Sequence, residues 1–319
     1  MPRCFLTLAA LVGLASSASG AALVGRRSAM VGRPSVRAAR AARPATMAAA
    51  VAGEMSVVAC KTPAQTFEAM VDKGVSNSKM SFGKVMFSSI TGGCFVGFGG
   101  LLSVAITGAM PGVAATNPGL IRFVFAALFP VNLLLVLQTG AQLFTGNTAT
   151  LSAAFVEGKV SLSDVLRSWT LSFIGNVIGC GLIALATMYT GILSGGTAEM
   201  AAATVMKKCS MDFGPTFVKA ILCNWLVCLA VFLATQAQDL AGKMVGIWFP
   251  ISTFVAIGFE HSVANMFLLP LGLLAGAKIG IMGTIVKNLI PVTLGNAFAG
   301  AVIIGCGFSY RHGSLGKSK

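Results

Sequence analysis

From Ser81 onward the chain is built of six apolar segments, near 84–108, 121–156, 166–195, 214–236, 244–277 and 283–308. About 20 apolar residues span a bilayer as a helix. Few features constrain a fold so strongly, because hydrocarbon offers no hydrogen-bond partner to a free backbone group. Four segments have ordinary spanning length. The second and fifth are too long for one simple helix, and each is interrupted. "TGAQLFTGNT" (139–148) breaks the second, and Pro250, "GFEHS" and Pro270 break the fifth. Interrupted helices at corresponding places in two halves point to a midplane transport site between inverted repeats. The halves do correspond: "SFIGNVIGCGLIAL" in the third segment carries Gly175-Asn176, and "TLGNAFAGAVIIG" in the sixth carries Gly295-Asn296, about 120 residues later. Thr145 precedes His261 by nearly the same offset. The reading is an all-α membrane protein of six transmembrane helices in an inverted 3+3 repeat.

Composition agrees. Only 10% of the 319 residues are charged, where a soluble domain of this length carries roughly a quarter. The net charge of +14 is not a nucleic-acid signal, because it is concentrated in the N-terminal region and otherwise scattered beside apolar segments, with no basic patch interleaved with aromatics. The eight cysteines form no CxxC pair and read as small buried hydrophobes. His312 is the one other histidine and lies in the tail, so no metal site and no cofactor are expected.

The first sixty residues are a different material. "MPRCFLTLAALVGLASSASG" has the basic start, apolar core and small-residue end of a secretory signal, and an Arg-, Ala- and Ser-rich stretch without acid before Glu54 follows. A signal followed by a transit peptide resembles a bipartite leader to a plastid with extra envelope membranes; the alternative is a plain signal peptide and a plasma-membrane location. The expected organisation is therefore leader 1–60, six-helix domain 61–311 and tail 312–319. Lys73, Lys79, Lys84, Lys159, Arg167, Lys243, Arg311, Lys317 and Lys319 are expected on the side of the termini, cytosol- or stroma-like. Arg122, Lys207, Lys208, Lys219, Lys278 and Lys287 are expected opposite.

Glu260 and His261 stand at membrane depth, where an ionisable group is a functional candidate by default. Neighbours on a helix point about 100° apart, so the two need not share a site. Glu260 suits capping the freed N–H groups of a half-helix starting near Ser262, at its positive dipole end. His261 is the candidate for substrate contact. If the repeats face each other across a pore, Thr145 can hydrogen-bond its ring. Asn176, Asn224 and Asn296 are amides within apolar helices, and interhelical bonding is the expected role of Asn176. The glycine string at 92–100 reads as close helix packing.

"QLFTGNTATL", "CNWLVCLAVFLA", "FVAIGFEHSVANMFLLPLG" and "NLIPVTLGNAFAGA" together resemble the formate/nitrite transporter family over about 65–310. That resemblance implies an aquaporin-like protomer with the second and fifth helices broken, assembled as a homopentamer in the lipid bilayer. It also implies one pore per protomer for small weak-acid anions such as nitrite and formate. By position it makes His261 the central histidine and Thr145 its hydrogen-bonding threonine. Lys208 becomes the vestibule lysine, Asn224 and Asn296 pore amides, and Phe129, Leu133, Leu143 and Phe254 the apolar constrictions. The chain reads "FTGN" where some bacterial members have a second hydroxyl residue, and a looser gate loop is expected from that glycine. With its leader, the chain resembles the plastid nitrite-transporter branch of algae.

Other classes fit less well. An intramembrane enzyme would need a nucleophile or metal partner, and no GxSxG, HExxH or paired acid occurs; the chain is not read as an enzyme. A structural or pigment-binding plastid membrane protein, with His261 as pigment ligand, would not require two broken helices in repeat register. A water or glycerol pore would carry paired Asn-Pro-Ala motifs, whereas "NPG" at 117–119 is placed in a loop.

Overall fold

A computed structural model describes residues 60–317, within one compact unit, Val57–Lys319. The expected leader, apart from Cys60, lies outside the described residues. The elements are α1 (Pro63–Ser78), α2 (Phe82–Gly108), α3 (Pro111–Thr116), α4 (Pro118–Leu128), α5 (Val131–Thr139), α6 (Phe144–Val156) and α7 (Leu162–Tyr189). They continue with α8 (Gly195–Lys208), α9 (Phe213–Gln236), α10 (Leu240–Ile257), α11 (Ser262–Leu274) and α12 (Ile281–His312). Among the described residues six spans are long and apolar enough to cross a membrane: α2, α4 with α5 as Pro118–Thr139, α7, α9, α10 and α12. The chain is an all-α membrane protein; among the described residues the one strand-like feature is a bridge between Cys60 and Ala237.

The two halves repeat element by element. A surface helix (α1, α8) leads into a span (α2, α9), then a broken span (α4–α5 with α6, α10 with α11), then a third span (α7, α12). Each break begins at a glycine with left-handed backbone, Gly140 at φ +77° and Gly258 at φ +84°. A Cβ is disfavoured there, which is why glycine ends these helices. A short extended link follows, and each half-helix, α6 and α11, has 13 residues. Their first residues, 144 and 262, set the internal offset at 118. The residue matching His261 is therefore Leu143, and Thr145 matches Val263. Pairing Thr145 with His261 by repeat is two residues off, because that alignment followed polar character and not the helix starts.

Close packing holds the spans together. A Cβ on Gly93 would lie 2.4 Å from the Asn176 carbonyl oxygen, and one on Gly179 would lie 2.0 Å from that of Ile90. Glycines here are what let α2 and α7 touch backbone to backbone. In α12 the turn Ile285–Leu289 widens to π-helical geometry just ahead of Pro291, whose ring and missing N–H disturb the preceding turn. That helix runs to His312, one residue past the expected domain boundary. Beyond it the chain folds back. The Glu157 carboxylate accepts from the Ser309 hydroxyl and from the Ser314 backbone N–H at 3.0 and 3.1 Å. The His312 ring sits 6.5 Å from Phe67 of α1.

Candidate functional site

Two asparagines fix the breaks. Asn176 of α7 receives the Phe144 N–H on its side-chain oxygen at 2.9 Å, and its nitrogen donates to the carbonyls of Ser89 and Gln142 at 2.8 and 3.0 Å. Asn296 of α12 does the same for the other break, accepting from Ser262 N–H at 2.8 Å and donating to Ala220 and Glu260 carbonyls at 2.8 and 3.1 Å. Each ties a half-helix start to the link before it and to the first span of its half. Such groups need partners because no water at this depth can replace them. Asn224 bridges the two halves, donating to the Thr148 hydroxyl at 3.0 Å and the Asn296 carbonyl at 2.6 Å. Asn224 and Asn296 are fully buried and line neither of the two cavities below. Asn296 is engaged by the backbone of the break, whereas Asn224 joins the Thr148 hydroxyl to the Asn296 carbonyl and keeps its Oδ1 without a partner among the described residues.

His261 is the N-cap of α11. Its Nδ1 accepts the Ala264 N–H at 3.1 Å, and its Nε2 lies 2.9 Å from the Thr145 hydroxyl. A backbone N–H only donates, so Nδ1 is the unprotonated nitrogen and the neutral ring carries its hydrogen on Nε2. Nε2–H then donates to Thr145 Oγ1. The Thr145 hydroxyl hydrogen has no acceptor among the described residues and is left to offer to a third group. The capping expected of Glu260 is thus carried out by His261. One residue nearer the helix start, it has the extended backbone (φ −113°, ψ 121°) that aims a side chain back over the first turn.

Glu260 instead joins a polar cluster. Its Oε2 accepts from Lys208 Nζ at 3.0 Å, Asn265 Nδ2 at 2.8 Å and Asn288 Nδ2 at 3.2 Å. Asn288 also donates to the Lys208 carbonyl at 3.0 Å, which fixes the end of α8 against α12. Lys208 therefore reaches the site as one half of an ion pair, its side chain 16% exposed against 4% for Glu260.

Two cavities approach the His261–Thr145 pair. The α8-side cavity, of about 540 Å³, is bordered by Phe129, Phe254, His261 and Glu260, with Lys207 and Lys208 among its cations. The α1-side cavity, of about 290 Å³, is bordered by Leu133, Leu143, Asn147, Lys73 and Lys243. The four apolar residues thus divide into two pairs. Phe129 and Phe254 meet edge to face at 6.4 Å, with the Phe254 ring 5.8 Å from that of His261. Leu133 and Leu143 border the other cavity, and all four are at most 5% exposed. Thr145, at 0%, is enclosed. Gly146 lies inside α6 with Cβ room to spare, 3.8 Å from Val231, so it widens the α1-side cavity and does not loosen a loop.

Sequence reasoning missed Asn265 and Asn288 beside Glu260, and Asn77 and Gln142 in the other half. The repeat contained the signal, since an offset of 118 carries Glu260 to Gln142 and Asn265 to Asn147. Among the described residues no group of three His, Cys, Asp or Glu side chains is placed to hold a metal ion.

Six spans, two broken in inverted register around an enclosed polar centre, define a membrane pore protein. The sequence pattern of the formate/nitrite transporter family matches residues 64–310, and the chain belongs to that family. Its members are transporters and channels, not enzymes. The chain is similar to a probable formate transporter of Methanothermobacter thermautotrophicus, at 40% identity over 79% of this chain and 97% of that one. Among solved structures it is similar to an FNT family ion channel (TM-score 0.71, 28% identity, covering 77% of this chain and 98% of that one). It is also similar to a pentameric formate channel with formate bound (TM-score 0.63, 28% identity, covering 71% and 96%).

Proposed function

We propose that the chain carries small monovalent weak-acid anions, formate and nitrite, through a pore in each protomer of a homopentamer, and that transport is linked to protons. The observation that carries this reading is the His261–Thr145 pair, enclosed between the Phe129–Phe254 and Leu133–Leu143 pairs. An isolated charge in such a constriction is opposed by up to tens of kcal/mol. The neutral acid escapes that penalty. As the anion loses water in the α8-side cavity its own pKa rises, while Lys208 and its cationic neighbours hold it until a proton arrives. That proton comes from water. The neutral ring of His261 cannot give up Nε2–H without becoming an anion, and protonating Nδ1 would break the α11 cap. His261 instead orients Thr145, whose free hydroxyl hydrogen meets an oxygen of the passing acid.

Formate and the pentamer draw support from the relatives, since one is a probable formate transporter and another a pentameric channel with formate bound. Nitrite draws on the family name and on the leader, because a plastid reduces nitrite internally and must import it. Pore chemistry serves both: the two anions are small, planar and bent, and size discrimination between such substrates is worth only about 1–3 kcal/mol. The plastid envelope is the location this reading assigns, with the plasma membrane as alternative. The test is uptake into vesicles holding the purified protein, comparing formate, nitrite and glycerol with and without an acid exterior. Formate and nitrite uptake accelerated by external acid, without glycerol uptake, is expected. Formate uptake alone would remove nitrite and leave the anion pathway standing; glycerol uptake alone would sink the anion reading.

A further inference from the structure

The end of the chain carries a motif that the pore does not use. Ser314 is the one serine in the sequence with an arginine three positions before it, in "RHGS" (311–314). Protein kinases directed to basic sequences read such an arginine through acidic groups in their own substrate groove. Two threonines share the spacing. Thr46 follows Arg43 in the leader, outside the described residues. Thr170 follows Arg167 inside α7, and that arginine is engaged by the Met80 carbonyl at 3.0 Å. A kinase takes its substrate as extended, accessible chain, which the interior of a helix denies. Ser314 meets that need. It lies two residues past the end of α12, and it is exposed, as are Arg311 and the residues from Leu315 to Lys317. Arg311 forms no salt bridge among the described residues.

The fold gives the Ser314 hydroxyl a consequence. Past α12 the chain turns back onto Glu157, which closes the end of α6. The Ser309 hydroxyl and the Ser314 N–H both donate to the Glu157 carboxylate, the N–H at 3.0 and 3.1 Å. Gly313 passes so close that a Cβ there would overlap Glu157 Oε1. The Ser314 carbonyl accepts the Lys317 N–H at 3.3 Å, which closes an exposed turn. Burial opposes the charge on Glu157, but Ser309, Ser314 and the Lys317 charge together hold its carboxyl below the ordinary value. The His312 ring lies 6.5 Å from Phe67 of α1 and 6.0 Å from Phe308. One carboxylate thus clasps the end of α12 to the end of α6, and the clasped turn rests on α1. Of the two serines that bind it, Ser309 is buried and Ser314 is exposed, so a kinase can reach Ser314 alone.

We propose that Ser314 is a phosphorylation site and that its phosphate releases this clasp. A protein kinase transfers the γ-phosphoryl group of ATP to Ser314 Oγ. The new Oγ–P bond replaces the bond from the γ-phosphorus to the bridging oxygen. ADP leaves with that electron pair, and the hydroxyl proton passes to the base of the kinase. The product carries about −1.5 to −2 charges at neutral pH. It stands on the residue whose N–H holds the Glu157 carboxylate. It therefore repels that carboxylate and competes with it for Lys317. The tail leaves α6, and α1 loses the His312 ring. Added salt weakens the release, because the charges concerned are exposed.

The experiment incubates the purified full chain with ATP and a calmodulin-dependent protein kinase, which reads Arg-x-x-Ser. Mass spectrometry locates the phosphate. Wild type should carry it on Ser314, and Ser314→Ala should carry none in the tail. Arg311→Gln should slow its addition by about tenfold, the effect of one lost charged contact. Both altered side chains are exposed, so folding is not at stake. At neutral pH, limited proteolysis should then remove the tail of phosphorylated wild type several-fold faster than that of the unmodified protein. In Glu157→Gln, where the clasp is already loose, the phosphate should add little. No phosphate on Ser314, or an unchanged rate in Arg311→Gln, would overturn the site. A phosphorylated tail as resistant as the unmodified one, or an equal acceleration in Glu157→Gln, would overturn the release.

Discussion

Lys208 and Glu260 stand or fall together, and the structure sets the scale. At 3.0 Å the pair has a Coulomb attraction of about 5–6 kcal/mol at an effective dielectric of 20. Removing one partner of a buried pair costs about 3–5 kcal/mol, because the other charge is stranded. Lys208→Gln strands Glu260, whose side chain is 4% exposed, but Asn265 and Asn288 still donate to it. The lower end, about 3 kcal/mol, is therefore expected. Glu260→Gln strands Lys208, whose side chain is 16% exposed and can turn toward the α8-side cavity. About 1–2 kcal/mol is expected there, as for a loosened charged hydrogen bond. The double substitution leaves two amides where two charges stood and should restore most of the loss, for a coupling of about 2–3 kcal/mol. Thermal unfolding of the detergent-solubilised protein reads this directly. Lys208→Gln should unfold about 6–12 °C below wild type, at roughly 2–4 °C per kcal/mol, with the double variant above it. A double variant that unfolds as low as the two single losses combined would refute the pair as an energetic unit. It would leave Lys208 as an ordinary vestibule charge.

His261→Asn keeps an N-cap acceptor for α11 while removing the hydrogen bond to Thr145, so assembly should persist and anion uptake should fall to background; undiminished uptake in an assembled protein would end the role of the ring. His261→Phe should behave alike in transport but also lose about 0.5–2 kcal/mol of stability with the cap. At the C-terminus, burial alone would raise the Glu157 carboxyl, but hydrogen bonds from Ser309 and Ser314 and the Lys317 charge outweigh it and hold the group below its ordinary 4.5. With the folded value lowered, the anchoring of 309–314 is complete above that ordinary value and is lost as pH falls through the lowered one. Limited proteolysis should therefore release the tail of wild type only in acid and that of Glu157→Gln already at neutral pH. Residues 1–60 fused to a fluorescent protein should reach a plastid in an algal host; retention in the secretory route would favour a surface membrane.

The spans and both breaks were legible in the sequence because membrane depth leaves few choices. Apolar runs near 20 residues become helices, and "TGAQLFTGNT" and "GFEHS" can be accommodated only as breaks. His261 was legible for the same reason. What escaped were partners whose signal is not local. Asn288 on α12 reaches Glu260 on the link before α11 and the end of α8, and nothing in "VKNLIP" marks it as more than a polar residue in an apolar helix. Asn224 and Asn296 were placed in the pore by the family resemblance. In the fold Asn296 holds the backbone freed by the second break, and Asn224 joins the Thr148 hydroxyl to the Asn296 carbonyl. The capping misassignment came from a single residue of register. A cap requires extended backbone immediately before the helix, and the sequence offered two polar neighbours without showing which one held it.

The repeat also separates what the scaffold needs from what the chemistry needs. Asn176 and Asn296 repeat because each half must fasten a broken helix, as do the left-handed glycines Gly140 and Gly258. Leu143 and His261 do not repeat, although both are N-cap positions of equal half-helices. Leu143 caps nothing with its side chain and borders the α1-side cavity as an apolar wall, while His261 caps, binds Thr145 and borders the α8-side cavity. The internal repeat thus supplies two equivalent N-cap positions, and the difference between them gives the centre a polar side and an apolar wall. That places the His261 ring off the two-fold axis, on the α8 side, with the apolar Leu143 in the matching position on the α1 side.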